Sequence, residues 1–167
     1  RTPAHPDGEI RGQIRVPTVY LPDLDGNQVV PEVETQMVGA ATLRLSADES
    51  TLEYFLNAGS TQVTPIAGAH LNVAPRGFNG SPIFTLTAGS SPSLPLQGVL
   101  RQDDLMPVPD SGIVAFADFV EALQAGDVYA NVETEAHPSG EIRGQVQASI
   151  VLPALASGTA AAVHARF

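Results

Sequence analysis

Asp127-Val128-Tyr129-Ala130-Asn131-Val132 has the composition of a strand, and it leads into Ala136-His137-Pro138-Ser139-Gly140-Glu141-Ile142-Arg143-Gly144-Gln145. Nine of the ten positions in the second stretch recur at residues 4–13, where Asp7 stands in place of Ser139. An internal repeat of this kind reports modular architecture. The later copy follows a strand-like lead-in, whereas the earlier copy has almost nothing before it. The repeat therefore predicts one complete domain and an extra copy of its last strand.

The composition points to an all-β protein. The chain has 167 residues, of which 43% are hydrophobic, 15 are glycine and 14 are proline. This is too apolar for a disordered chain and too rich in turn formers for a helical bundle. Short segments separated by Gly, Pro, Ser and Asp predict an antiparallel β-sandwich of the Ig-like or Greek-key kind, with one short helix.

Charge and cysteine content narrow the classes of partner. The formal net charge is −10, and the 8 Lys+Arg residues are all arginine. Nucleic-acid binding needs clustered cations, so that class is disfavoured. The chain has no cysteine, which excludes disulfides and thiolate chemistry. No segment reaches the roughly 18 apolar residues of a transmembrane helix, so we expect no membrane insertion.

The hydrophobic pattern also gives the elements and their boundaries. The helix is predicted at 118–124 with Gly126 after its end, and a Ser/Pro/Gly loop is predicted at 89–98. Strands are predicted at 8–16, 29–33 (an edge strand because of Pro31), 39–45, 52–57, 66–73, 82–88, 127–134 and 140–152. The predicted divisions are an extra strand at 1–19, a sandwich at 20–152 and an Ala/Gly/Ser-rich tail at 153–167.

Four blocks resemble one family, in the family's order. They are residues 27–33, 39–43, 69–82 (with Ala69-His70-Leu71-Asn72-Val73) and 129–145 (with Gly140-Glu141-Ile142-Arg143-Gly144-Gln145). They resemble the CHRD domain, first named from chordin and common in secreted bacterial proteins. The resemblance covers roughly residues 24–150. It implies an extracellular β-sandwich, often in tandem, and no established activity.

The resemblance also suggests a metal site. The family's central strand often reads His-x-His and its terminal strand Asn-Val-His-Thr, and two His at i and i+2 share a sheet face. Here His70 remains, while Asn72 and Glu133 occupy the other two positions. The pair His70 and Glu133 could hold a divalent cation such as Zn²⁺ or Cu²⁺. The alternative is a hydrogen bond between these two strand residues.

Two further groups of charged residues have a functional and a structural interpretation. Asp23, Asp25 and Asn27 have the spacing of oxygen ligands in a Ca²⁺ loop, but the 12-residue pattern is not completed and a plain turn is the alternative. Glu141 and Arg143 lie two apart on one strand face. They form either a binding patch or, as we expect, pairs with charges on the adjacent strand.

No catalytic motif stands out in the sequence. There is no Gly-x-Ser-x-Gly and no P-loop. The adjacent Asp103 and Asp104 point to opposite faces if extended, which makes a poor acid–base pair. We therefore predict a non-enzymatic protein without catalytic residues.

Two hypotheses for function remain. In the first, the chain is a structural subunit of an extracellular or cell-surface assembly, and its extra strand adds to a neighbouring copy. The candidate subunit contacts are Glu9, Ile10, Arg11, Gln13, Ile14 and Val16. A head-to-tail contact that does not close produces a filament. In the second, the chain is a secreted binding module from a tandem array. Both place the protein outside the cell after export and processing, with a second copy of itself as the expected partner in the first.

Overall fold

Two antiparallel sheets form the body of the protein. A computed structural model describes residues 17–60, 65–87 and 93–147. The strands are β1 (Thr18–Tyr20), β2 (Asp23–Leu24), β3 (Val38–Leu45), β4 (Leu52–Gly59), β5 (Ile66–Val73), β6 (Ser81–Thr85), β7 (Leu96–Leu100), β8 (Val128–Thr134) and β9 (Ile142–Gln145). The first sheet has the order β1-β3-β4-β7 with β2 also on β3, and the second has the order β6-β5-β8-β9. The predicted all-β sandwich is confirmed.

The first sheet is built on the β3–β4 hairpin. Leu43 and Leu45 of β3, with Leu52 and Leu56 of β4, are buried, and Tyr54 packs against them, while Arg44, Glu53 and Phe55 face outward. This strict alternation is the mark of a sheet with one face on the core. The turn at 46–50 is closed by the Asp48 side chain, and hydrogen bonds from Ser46 and Ser50 lower the pKa of that carboxyl.

The second sheet alternates in the same way, but its outer face is also covered. Leu71, Val132 and Ile142 point into the core between the sheets. The residues that alternate with these along β5, β8 and β9 are mostly polar, and several of them are buried as well. The sequence of β8 and β9 therefore encodes an apolar inner face and a polar, enclosed outer face.

The single α-helix in the described part of the chain, α1 (Phe116–Ala125), packs against the sandwich through aromatic rings. Phe119 is fully buried and lies 4.9 Å from the ring of Phe84 and 5.2 Å from that of Phe116. Asp118 accepts hydrogen bonds from the backbone of Val114 and Ala115, which lowers the pKa of its carboxyl. The helix ends at Gly126, whose φ of 84° is the left-handed conformation expected there.

Several predicted boundaries were wrong. Residues 29–33 are irregular, because Val33 donates its backbone N–H to Gly26 in a loop instead of to a strand. Strand β7 begins at Leu96, inside the predicted loop at 89–98, because the Ser/Pro-rich composition hid the start of the Leu-Gln-Gly-Val-Leu strand. Strand β6 ends at Thr85 instead of residue 88, and β9 ends at Gln145 instead of residue 152. The helix begins at Phe116, two residues before its predicted start. The predicted strand at 8–16 and the tail at 153–167 lie outside the described residues.

Candidate functional site

The outer face of the second sheet carries a set of polar side chains in neighbouring strands. The pairing sets His70 beside Asn131 and Asn131 beside Arg143. One step along, it sets Asn72 beside Tyr129 and Tyr129 beside Gln145. Residues paired across an antiparallel sheet project from the same face. This surface, with Glu133 and Glu141 at its end, is called the polar face below.

Glu141 is a buried carboxylate held by two hydroxyl groups. It is 6% exposed, and it accepts hydrogen bonds of 2.6 Å from both Thr35 and Thr134. Such short bonds to a carboxylate are among the strong hydrogen bonds in proteins. Thr35 lies in the loop before β3, so Glu141 fastens that loop to the second sheet.

Among the described residues, Arg143 is the largest fully buried side chain. Its guanidinium lies 3.4 Å above the centre of the Tyr129 ring, and it donates to the carbonyl oxygen of Phe78 at 2.8 Å and to Gln145 Oε1 at 2.9 Å. Desolvation by burial lowers the pKa of Arg143, and the positive charge of Arg76 lowers it further. The stacked geometry is characteristic of arginine and is not available to lysine.

Gln145 joins three segments of backbone. Its Nε2 donates to the carbonyl oxygens of Ala74 at 3.0 Å and Gly126 at 2.7 Å. Its backbone N–H donates to Gln28 Oε1 at 3.1 Å. Gln145 therefore fixes the end of β5, the end of α1 and the loop after β2 relative to one another.

These contacts correct one prediction. Glu141 and Arg143 were expected to pair with charges on the adjacent strand. Their observed partners are hydroxyls, a carbonyl, an amide and an aromatic ring. Because both side chains are buried, they do not form an exposed binding patch, and Arg143 reaches the surface only where it lines a cleft. The sequence alone did not indicate Thr35, which is 106 residues from Glu141.

The outer edge of β9 is covered by the backbone of Asp25. The N–H of Asp25 donates to the carbonyl oxygen of Arg143 at 3.1 Å, and the N–H of Arg143 donates back at 3.0 Å. Asp25 follows β2, which belongs to the first sheet. The last strand therefore bridges the two sheets on this side of the sandwich.

Two glycines make the path of β9 possible. Gly140 has φ of 128°, and a Cβ there would collide with Asn131 Oδ1. A Cβ at Gly144 would lie 2.6 Å from the carbonyl oxygen of Asp23 and 2.9 Å from the side chain of Leu24. The sequence predicts a turn entry at Gly140 and a close backbone approach at Gly144, and the chain segment that approaches is β2.

We expect Gly144→Ala to destabilise the domain by about 1–3 kcal/mol, because overpacking displaces backbone in a filled interior. The matched control is Gly59→Ala, since a Cβ at Gly59 meets nothing within 4 Å. That control is expected to change stability by less than about 1 kcal/mol. Urea unfolding of both variants measures the difference. Equal stabilities would show that β2 does not approach β9 this closely.

The structure brings together the predicted pair His70 and Glu133. His70 Nδ1 lies 3.0 Å from Glu133 Oε1, and Asn131 Nδ2 donates to the same oxygen at 3.2 Å. Both side chains are about one-fifth exposed, at 22% and 21%. Asn72 lies on the same face, and its buried Oδ1 has no hydrogen-bond partner among the described residues. The geometry is that of the hydrogen-bonded alternative.

The other candidate ligands lie apart from this pair. Asp25 uses both carboxylate oxygens to bind Gln28, at 3.1 Å to each nitrogen, and Asp23 is exposed on β2. Across residues 17–60, 65–87 and 93–147, no three His, Asp or Glu side chains come together as a metal-binding group. One imidazole and one carboxylate fall short of the three or four ligands of a zinc site. By themselves they do not complete a Zn²⁺ or Cu²⁺ site, and Asp23 and Asp25 by themselves do not complete a Ca²⁺ site.

The fold and the site together define an antiparallel β-sandwich module whose last strand is secured by buried polar side chains. The chain matches the model of the CHRD domain family over residues 22–146, and it belongs to that family. No curated protein and no solved structure gives a match to it.

Membership of the family sets the coarse function. CHRD domains occur in secreted proteins and are in general non-catalytic. They are binding or structural modules. In the described part of the chain, no helix has the length and apolar character needed to cross a membrane.

Proposed function

We propose that the chain is a non-enzymatic structural subunit of an extracellular or cell-surface assembly, in which residues 4–13 add as a strand to another CHRD sandwich. One observation carries this proposal. The polar residues that the two copies share are, in the second copy, buried in specific contacts. Glu9, Arg11 and Gln13 repeat Glu141, Arg143 and Gln145.

The shared identities match a buried binding site better than an exposed surface. Exposed strand positions accept many polar residues, whereas a stacked arginine and a buried glutamate need defined partners. The repeat also keeps glycine at Gly8 and Gly12, which correspond to Gly140 and Gly144. In the second copy those glycines are required, Gly140 by its backbone conformation before β9 and Gly144 by the approach of β2. Residues 4–13 therefore carry the side chains and the small residues that this position demands.

The position inside this domain is already filled by β9. A second strand with the same side chains needs a sandwich other than this one, and we propose a neighbouring copy. Strand addition between copies is a general mode of protein association. A head-to-tail contact that does not close on itself extends into a filament.

A second candidate function is a secreted binding module in a tandem array of CHRD sandwiches, with residues 4–13 serving a sandwich of the same polypeptide. The observation in its favour is that β9 occupies its site from within its own chain. A tethered strand has a high effective concentration and resists displacement by a neighbour's strand. In such a module His70 and Glu133 would supply two of the ligands of a divalent cation, with the remaining ligands coming from outside the described residues.

The experiment compares the intact chain with variants altered only in the first copy. We expect the intact chain to form high-mass species in light scattering and negative-stain microscopy. Arg11→Ala combined with Gly12→Val, or deletion of residues 1–16, is expected to reduce it to a monomer. The matched control is Asp7→Ser, which makes the two copies identical and is expected to assemble normally.

Two outcomes contradict strand addition between copies. One is an intact chain that stays monomeric at high micromolar concentration, which would favour the tandem module. The other is assembly that persists unchanged after removal of residues 1–16. Elemental analysis of the purified protein tests the cation separately.

A further inference from the structure

Two arginines line one cleft beside the polar face. The cleft has a volume of about 410 Å³ and lies between the loop at 27–32 and the turn that carries Arg76. Arg143 and Arg76 both line it. A second cleft, which shares Arg76 and Gln145 with the first, continues it toward Asp23. Three acidic residues also line the two clefts, Glu32 in the first and Asp23 and Asp25 in the second, so the positive charge is confined to the two guanidinium groups.

Neither guanidinium has an acidic partner in the described chain. In residues 17–60, 65–87 and 93–147, no carboxylate lies within 4.0 Å of Arg76 or Arg143. Arg44, in contrast, pairs with Glu53 at 3.0 Å although both are exposed. Arg143 is nine-tenths or more buried, and its hydrogen bonds to Phe78 and Gln145 use two of its five N–H groups.

We propose that this cleft binds the carboxylate group of a small organic anion between Arg76 and Arg143. A buried cation without a counter-ion is costly, and an anion placed between two guanidinium groups relieves both charges. Arginine presents a planar fork that matches a carboxylate in two parallel hydrogen bonds. Burial and, to a smaller extent, the positive charge of Arg76 lower the pKa of Arg143, and a bound carboxylate would offset both effects.

The rest of the lining selects the kind of anion. Val29, Val30 and Pro31 form an apolar wall, which suits the carbon skeleton of an organic acid better than a hydrated inorganic ion. Glu32 also lines the cleft. Its carboxylate repels a second negative charge, so a monoanion is favoured over phosphate.

The probes for calorimetric titration of the intact chain are sodium glucuronate, N-acetylglutamate α-amide and inorganic phosphate, with uncharged glucose as the control for glucuronate. We expect a carboxylate to bind and glucose not to. Tighter binding of glucuronate would assign the carboxylate to a sugar acid, and tighter binding of the glutamate derivative would assign it to an amino acid. Binding should weaken as salt is raised.

Arg76→Gln is the decisive variant, because Arg76 is exposed and its replacement leaves the fold intact. We expect it to weaken carboxylate binding about tenfold, the usual effect of losing one charged hydrogen bond. Arg44→Gln removes the same charge away from the cleft and should bind as the unmodified chain does. The proposal is overturned by absence of carboxylate binding at millimolar concentration, by equal binding to the two variants, or by phosphate binding as tightly as the carboxylate. Thermal melts establish that both variants are folded.

Discussion

Replacement of Arg143 by alanine is expected to lower the free energy of unfolding by about 3 kcal/mol, the largest loss for any polar residue of the domain. The change removes the stack on Tyr129 and leaves the carbonyl oxygen of Phe78 and the amide of Gln145 without a donor. It also opens a cavity at a side chain that is 2% exposed. Relief of the desolvated charge offsets only part of this loss. Urea unfolding followed by tyrosine fluorescence or circular dichroism measures it.

The control for Arg143→Ala is Arg44→Ala. Arg44 also contacts a polar partner, but its side chain is 51% exposed, so its removal should cost no more than about 1 kcal/mol. Arg143→Lys keeps the charge and loses the planar stack, and we expect an intermediate loss. Equal free energies of unfolding for Arg143→Ala and Arg44→Ala would show that the buried contacts of Arg143 do not stabilise the domain.

Replacement of Phe119 by alanine is expected to cost about 3–5 kcal/mol, the usual range for truncating a fully buried phenylalanine. Phe119 is 0% exposed, and its ring meets Phe84 and Phe116 edge to face. The variant therefore loses the buried ring, its two aromatic contacts and the packing of the helix on the sandwich. The expected result is a large fall in the midpoint of thermal or urea unfolding.

Phe78→Ala is the matched control for Phe119→Ala, because the Phe78 side chain is 66% exposed. We expect a change within about 0.5 kcal/mol, as for most surface substitutions. A loss below 1 kcal/mol for Phe119→Ala would mean that the helix does not pack on the sandwich through this ring. The two variants differ in burial and share the same change of side chain.

The sequence allowed the elements with regular periods to be predicted. Strand β5 was predicted from Ile66 to Val73, as observed, because its apolar run is bounded by turn residues. Strands β3 and β4 were predicted to within two residues of their observed ends, and the end of α1 followed from Gly126. Where local composition conflicts with tertiary pairing, as at Val29–Val33 and at the start of β7, the local pattern misled.

The sequence identified residues of the candidate site, but it did not identify the groups that these residues contact. The repeat pointed to Glu141 and Arg143, and the spacing placed them on one strand face. Their burial could not be read from the sequence, because charged residues are mostly exposed in proteins. The groups that receive them are Thr35, Phe78 and Tyr129, which are far away in the chain. The contact between His70 and Glu133 was one of the two alternatives predicted from the sequence, and the structure shows it.

The bridging position of β9 has a consequence for the timing of folding during synthesis. Glu141 binds Thr35 across 106 residues, and Gln145 binds Gln28 across 117. Contacts between such distant residues form slowly and need both ends of the chain to be present. A nascent chain that has not yet released residues 141–145 lacks the strand that joins its sheets. The growing polypeptide therefore completes its sandwich only when almost the whole domain has left the ribosome, and until then it remains open to capture by chaperones.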